Sequence, residues 1–421
     1  MTQQQYLALK QPSRHLHVKI DILNFSNAVI STVSGLAISG NINISADSPY
    51  RRNGNITLLS NSKHNLIPKP DSLIWFDKKV KVQIGIDNYK DETIWFNLGV
   101  YAVLDCNVNE ESPVETTINL ELADMMAFLD GTLGGSLVNK TKIYNKNTTV
   151  NQAIISILTG LVPYSIEKIM ISDIDEALLP YDIEAPVGMT SYSLVKELVD
   201  LHMGHEFFFN EDGYLVIQKI KDRKSDGYVW DFIEDDLSLT SQNKFNFQNV
   251  RNDVWVYGRT DQYNNQIVTN YHNRFSRNTI SERDAITAKS INDICYVKSE
   301  DKSYIWNGSA WVILNFNVNP IFNSESIGYK PRTYEDGNVF TDVQAKLRCQ
   351  YELENYSNFA ETVSFNCVPI YALDVNKKIK INKESVGIVG DYLIESAGFS
   401  LDIQSPMTLG CRKIYYADSI I

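Results

Sequence analysis

Cysteine is scarce. Five residues (Cys106, Cys295, Cys349, Cys367 and Cys411) are scattered through 421 positions with no Cys-x-x-Cys. An odd number at such wide spacing excludes a disulfide framework and predicts small core residues in a reducing compartment. Long apolar runs are also missing, so no membrane insertion is predicted. The N-terminal stretch Met1-Thr2-Gln3-Gln4-Gln5 lacks the charged region and apolar core of a signal peptide, and folding in a cytoplasm is expected. Asn-x-Ser/Thr sites such as Asn24, Asn43, Asn55 and Asn139 then carry no glycan meaning. Basic charge is in deficit: 39 Lys and Arg against 51 Asp and Glu leave a net charge of −12. That balance argues against nucleic-acid binding, which needs a basic surface for phosphate contacts.

Catalytic signatures are absent in turn. The one close histidine pair, His202-x-x-His205, has a spacing of three, whereas zinc proteases place two histidines four apart with a glutamate between them. At a helix end before Phe207-Phe208-Phe209 it reads as an exposed turn rather than a metal site. Acidic pairs occur at Glu110-Glu111, Asp173/Asp175 and Asp235-Asp236, but nothing marks the apolar pocket that raises one carboxyl in a glycosidase. There is no Gly-x-Ser-x-Gly elbow. Gly131-Thr132-Leu133-Gly134-Gly135 lacks the lysine of a phosphate-binding loop and reads as a hinge. No catalytic residue, cofactor or metal ligand is therefore expected. The single candidate for ligand stacking is the aromatic pair Trp306 and Trp311, which could lie against a sugar ring but more simply packs on its own strands.

What the chain does have is β pattern, written twice. Lys78-Lys79-Val80-Lys81-Val82 is matched by Lys377-Lys378-Ile379-Lys380-Ile381, with apolar and polar residues alternating as in a half-buried strand. Gly99-Val100-Tyr101 is matched by Gly390-Asp391-Tyr392, each opening a second strand. Both copies then reach a Ser-Pro break, at Ser112-Pro113 and Ser405-Pro406. A last alternating strand follows, Ile118/Leu120/Leu122 in one and Met407/Leu409/Cys411 in the other. The ordered set predicts a duplicated three-strand unit.

Length above that of one hydrophobic core, with 43% hydrophobic and 11% aromatic residues, predicts several packed domains. Residues 15–60 read as strands, with a break near Gly35 or Gly40 and a turn at Asn53-Gly54. After the glycine stretch a helix capped by Thr148 or Thr149 shows Val150, Ile154, Ile157, Leu158 and Leu161 at helical spacing. A second helix starts near Thr190 or Ser191, stops at Gly204 and runs into a hairpin around 210–213. β pattern returns from Asn249, and a helix over 342–355 capped by Thr341 or Asp342 precedes the second copy. The resulting division is a β domain over 1–131, an α+β domain over 136–235 and a β domain over 245–421. A short aromatic module, Trp-Asn-Gly-Ser-Ala-Trp at its centre, is inserted over 290–315.

The first copy and its exit, Leu122-Ala123-Asp124-Met125-Met126-Ala127-Phe128-Leu129-Asp130-Gly131, resemble the baseplate hub (tail hub) proteins of long-tailed bacteriophages. So do Trp230-Asp231-Phe232-Ile233 leading to Asn249-Val250-Arg251-Asn252-Asp253-Val254, and Ala372-Leu373-Asp374-Val375 ahead of the second copy. The resemblance spans nearly the whole chain except 283–327. It implies a mainly β fold with two tail-tube-like β-barrel domains flanking a small α+β domain. It also implies a structural virion protein at the tail tip or baseplate, assembled in the host cytoplasm and not an enzyme. The implied assembly is a homotrimeric hub that adapts the sixfold tail tube to the threefold tip. Its implied partners are a tube or distal tail protein above and a spike, fibre or tip protein below, with DNA passing through the channel unbound. A tail-tip receptor or carbohydrate-binding protein and a tail-associated cell-wall hydrolase are the alternatives.

Overall fold

The structure, a computed structural model, describes residues 1–60, 65–88, 92–112, 115–138, 141–159, 169–172, 174, 176–220, 225–232, 238–260, 265–402 and 405–415. The chain is mainly β and divides into two compact units. One contains residues 1–222, 226–242 and 364–411, the other 223–225, 243–363 and 412–421.

The first unit begins with α1 (Gln3–Leu9), closed by a capping box between Thr2 and Gln5. Seven strands follow: β1 (Leu16–Asn24), β2 (Val29–Ser34), β3 (Ala37–Ser45), β4 (Arg52–Ser60), β5 (Lys78–Asp87), β6 (Thr93–Ser112) and β7 (Glu115–Asp124). β2 and β3 are split at Gly35, whose φ of +71° suits glycine, so the expected break falls there and not at Gly40. Asn53-Gly54 is not the turn its composition predicts. Gly54 sits inside β4 opposite Ile42, where a Cβ would come 2.1 Å from the Asn41 carbonyl oxygen. Here glycine serves close strand approach rather than reversal.

The middle segment carries β8 (Lys142–Tyr144), α2 (Val150–Thr159), β9 (Ile169–Ile171), β10 (Ile183–Ala185), α3 (Ser191–Asp200), β11 (His205–Phe209) and β12 (Leu215–Lys219). Thr149 caps α2 by accepting from the Gln152 amide, and Thr190 caps α3 by accepting from Ser193. Val150, Ile154, Ile157 and Leu158, on the face predicted by spacing, are buried in one cluster with Leu194, Val195, Leu198 and Val199. Leu161 lies outside the described residues. β11 and β12 form the expected hairpin, Phe207 opposite Ile217. The glycine stretch 131–135 is a pinned loop rather than a free hinge. Ser191 donates through both its amide and its hydroxyl to the Gly135 carbonyl, at 2.8 and 2.9 Å.

β13 (Trp230–Asp231) and β14 (Ser238–Asn246) lead out of this segment. The second unit is a six-stranded sheet built from β15 (Asp253–Thr260), β16 (Gln266–Arg277), β17 (Asp293–Val297), β18 (Lys302–Trp306), β19 (Trp311–Ile313) and β20 (Pro331–Glu335), in the order β19-β18-β17-β16-β15-β20. Residues 290–315 extend that sheet, since β17 pairs in parallel with β16, His272 opposite Asp293. Three further helices belong here: α4 (Ile280–Asp284), α5 (Ser324–Ile327) and α6 (Asp342–Tyr356). Thr341 and Gln344 form a capping box on α6, which buries Ala345, Cys349 and Leu353 against Val254 and Val256.

β21 (Ala360–Cys367), β22 (Lys378–Lys383), β23 (Ile388–Ser400) and β24 (Met407–Lys413) return the chain to the first sheet. That sheet has thirteen strands, ordered β14-β21-β24-β23-β3-β4-β7-β6-β5-β1-β2, with β22 between β23 and β13. Both copies of the repeat lie in it, linked through β4 and β3, with β23 pairing β3, Phe399 opposite Ile42. The copies agree at the tyrosine and glycine pairs and differ beyond them, where β5–β6 shifts register after Val82 and β22–β23 does not. Val80 faces Tyr101 and Val82 faces Gly99 in one; Ile379 faces Tyr392 and Ile381 faces Gly390 in the other. Tyr101 and Tyr392 are both fully buried, and Lys79 and Lys378 are each only 3% exposed. Ile118, Leu120 and Leu122 are buried on the last strand as Met407, Leu409 and Cys411 are.

Candidate functional site

Charges are concentrated where β4 begins. A tight return from β3 brings Arg51 and Arg52 into the interior, 4% and 2% exposed. A buried guanidinium persists only when its donors are met, since an unpaired charge in a low-dielectric interior costs several kcal/mol. Arg52 donates from its amide to Asp124 Oδ2 at 3.0 Å. Its guanidinium donates to the Phe209 carbonyl at 2.8 Å and to Asp374 Oδ2 at 2.6 Å. Arg51 is paired with Glu206 and stacks 3.9 Å above the Phe208 ring. Glu206 also accepts from Gln218 at 2.9 Å and from the Asn376 side chain.

The start of β4, the end of β7, one hairpin and the lead-in to the second copy thus meet on two adjacent arginines. Asp124, at the end of β7, accepts from Arg52 and from the Met126 amide at 3.0 Å each, capping the turn into the middle segment. Burial pushes its carboxyl up to about 6 against the pull of those hydrogen bonds and both arginines. At Asp374 burial acts the same way, but Arg52 and Arg51 overcome it and hold the carboxyl below the ordinary range. The cluster fixes segments relative to one another and leaves no nucleophile beside a base.

A cavity of about 480 Å³ on the first sheet is lined by Asn41, Asn43, Asn53, Asn55, Asn107 and Asn119, among others. Glu121 is the one carboxylate on it, so it offers hydrogen-bonding amides without the carboxyl pair of a glycosidase.

The residues singled out from sequence fall elsewhere. Trp306 and Trp311 face each other across β18 and β19, centroids 5.5 Å apart and edge to face. Lys289 Nζ lies 4.4 Å from the Trp306 ring, and Trp311 packs on the cluster of Phe275, Ile286 and Cys295. Both rings are half-buried. His202 and His205 have ring centroids 6.3 Å apart, and His205 Nδ1 donates to the His202 carbonyl at 2.9 Å. Burial lowers the His202 pKa, and no third metal-ligating side chain joins the pair among the described residues. Glu110 is exposed, while Asp173, Asp175, Asp235, Asp236 and the Glu111 side chain lie outside the described residues.

No family model matches the sequence, and no curated protein does. Solved structures do match in fold. The 43 kDa tail protein of prophage MuSo2 from Shewanella oneidensis superimposes with a TM-score of 0.57 at 14% identity, over 95% of this chain and 98% of that one. A tail protein from Neisseria meningitidis MC58 gives 0.58 at 11% identity, over 96% and 99%. A prophage tail protein from Listeria monocytogenes EGD-e gives 0.50 at 10% identity, over 96% and 97%. The fold of this chain is the fold of these phage tail proteins.

Proposed function

We propose that the chain is a structural protein of a phage tail, a homotrimeric hub that joins a sixfold tail tube to a threefold tip. The observation that carries this reading is the duplicated strand pairing, Val80–Tyr101 repeated as Ile379–Tyr392 in one sheet. A subunit with two equivalent strand units offers six such units when three copies close a ring, and a closed ring is a finite assembly. The shared fold with tail proteins supports the same reading over the whole length. In it, 1–131 and 245–421 supply the two tube-like barrels, 136–235 lies between them in sequence, and 290–315 is an insertion. The tube or a distal tail protein sits above, a spike, fibre or tip protein below. The net charge of −12 suits a channel through which DNA slides without sticking. The role is architectural and the protein resides in the virion after assembly in the host cytoplasm.

Light scattering on the purified protein, paired with negative-stain class averages, tests it. A mass of three chains and a ring with pseudo-sixfold outline is expected. A monomer that binds cell-wall glycan, and loses it on Trp306→Ala or Trp311→Ala, overturns the hub in favour of a receptor-binding tip.

A further inference from the structure

β1 is preceded by His15 and carries His17, two positions on and therefore on the same face. β5 runs antiparallel to β1 with Gly85 opposite His17. Asp87, two residues beyond Gly85, lies on that face too, its amide donating to the His15 carbonyl at 3.3 Å. Strand register alone thus brings two histidines to an aspartate 72 and 70 positions further along the sequence. Across the next pair Thr93 lies opposite Asp87 and donates through Oγ1 to Asp87 Oδ1 at 2.8 Å, fixing the carboxylate.

The ligand atoms converge on a point. His15 Nδ1 is 3.2 Å from His17 Nε2 and 2.9 Å from Asp87 Oδ2, and His17 Nε2 is 2.9 Å from the same oxygen. Proton placement alone serves this triangle poorly. If both nitrogens carry hydrogen toward Asp87, two N–H groups crowd each other; if one does not, it turns a lone pair to the carboxylate. A cation at the centre uses all three lone pairs. With metal–ligand bonds of about 2.0–2.1 Å, the spacings give angles of about 90–105° at the ion, within the range of four- to six-coordinate sites.

We propose that His15, His17 and Asp87 form a site for a divalent transition-metal ion of the zinc class. Two imidazoles and one carboxylate suit such ions and not calcium or magnesium, which take all-oxygen shells. The threonine bond to Asp87 is the outer support that metal-bound carboxylates need. Nearby cations are engaged elsewhere: Lys19 lies over the Trp95 ring at 4.5 Å, and Arg14 donates to the Leu9 and Pro369 carbonyls. His15 keeps 75% of its side chain exposed, so the ion enters from solvent and the remaining coordination positions face water. Bound there, it ties the segment before β1 to the start of the β5–β6 turn.

The test is calorimetric titration of the EDTA-stripped full-length protein with Zn²⁺, repeated for His17→Ala, Asp87→Asn and the control His205→Ala. The expected result is one Zn²⁺ per chain, weakened at least about 10-fold in the first two variants and unchanged in the control. Circular dichroism spectra matching the wild type establish that the variants are folded. Absence of saturable binding by the folded wild type, or wild-type affinity in Asp87→Asn and His17→Ala, overturns the proposal.

Discussion

Arg52 ties separate segments of the first unit together, its amide holding Asp124 and its guanidinium holding the Phe209 carbonyl and Asp374. Removing it leaves Asp374 nearly buried (side chain 15% exposed) with its closest countercharge gone. Breaking one partner of such a pair costs about 3–5 kcal/mol. Arg52→Ala is therefore expected to lose about that much in urea unfolding at pH 7, with Asp374→Ala losing most of the same energy and the double variant little more than either. The pH dependence has a definite sign. Asp374 is held low in the folded state, so its contribution is present above the unfolded carboxylate pKa of about 4 and is lost as pH falls below it. The gap between wild type and Arg52→Ala should narrow between about pH 5 and 3. Asp124 works the other way: its folded pKa of about 6 makes protonation stabilising, a gain lost as pH rises through about 6. None of this was legible beforehand. Arg51-Arg52 reads as an ordinary basic pair, and its partners lie 155 and 322 residues away. His15 and His17 show their common face in the strand alternation, but only the pairing of β1 with β5 brings Asp87 to them.

Elements were more legible than residues, because alternation and capping are local. Thr149, Thr190 and Thr341 cap the helices expected of them, and the repeat appears in the structure with its tyrosine and glycine pairs intact. The failure at Asn53-Gly54 has a local cause of its own: a dipeptide that usually turns is needed here for a close strand crossing. The repeated Gly-x-Tyr shows what a conformational requirement looks like when it is real. Leu98 is an extra residue in β6, between Gly99 opposite Val82 and Asn97 opposite Gln83. The Tyr101 ring folds back over this bulge, its hydroxyl donating to the Leu98 carbonyl at 2.9 Å. A Cβ on Gly99 would lie 2.5 Å from that ring, so Gly99→Ala must displace a fully buried tyrosine. We expect a loss of about 2–4 kcal/mol, read from the denaturant midpoint, of the size of other core disruptions. Gly390, at φ +124° before Tyr392, should respond in the same direction. A neutral outcome at both positions would show that the repeated Gly-x-Tyr is incidental.

At the scale of the whole molecule, the joining of the second copy to the first seven strands across the β23–β3 pair is the feature that sequence could not supply. Each copy reads as a complete unit with its own alternation, and nothing local says that β3 finds β23. Yet Ile42 and Ile44 are buried opposite Phe399 and Ala397, and Leu401 donates its amide to the Gly40 carbonyl at 2.9 Å. A chain stopping at residue 242 would keep every strand of the first copy but leave that β3 edge bare. It would also strip Asp374 and Asn376 from the arginine cluster. A long apolar edge pairs with whatever strand it meets. The truncated chain is expected to associate at micromolar concentration in sedimentation velocity, and supplying residues 364–411 as a second polypeptide during expression should restore a discrete species. If the 1–242 chain instead sediments as a stable monomer with native-like β signal, the first copy closes without the second, and the seam is a docking contact rather than part of one cooperative sheet.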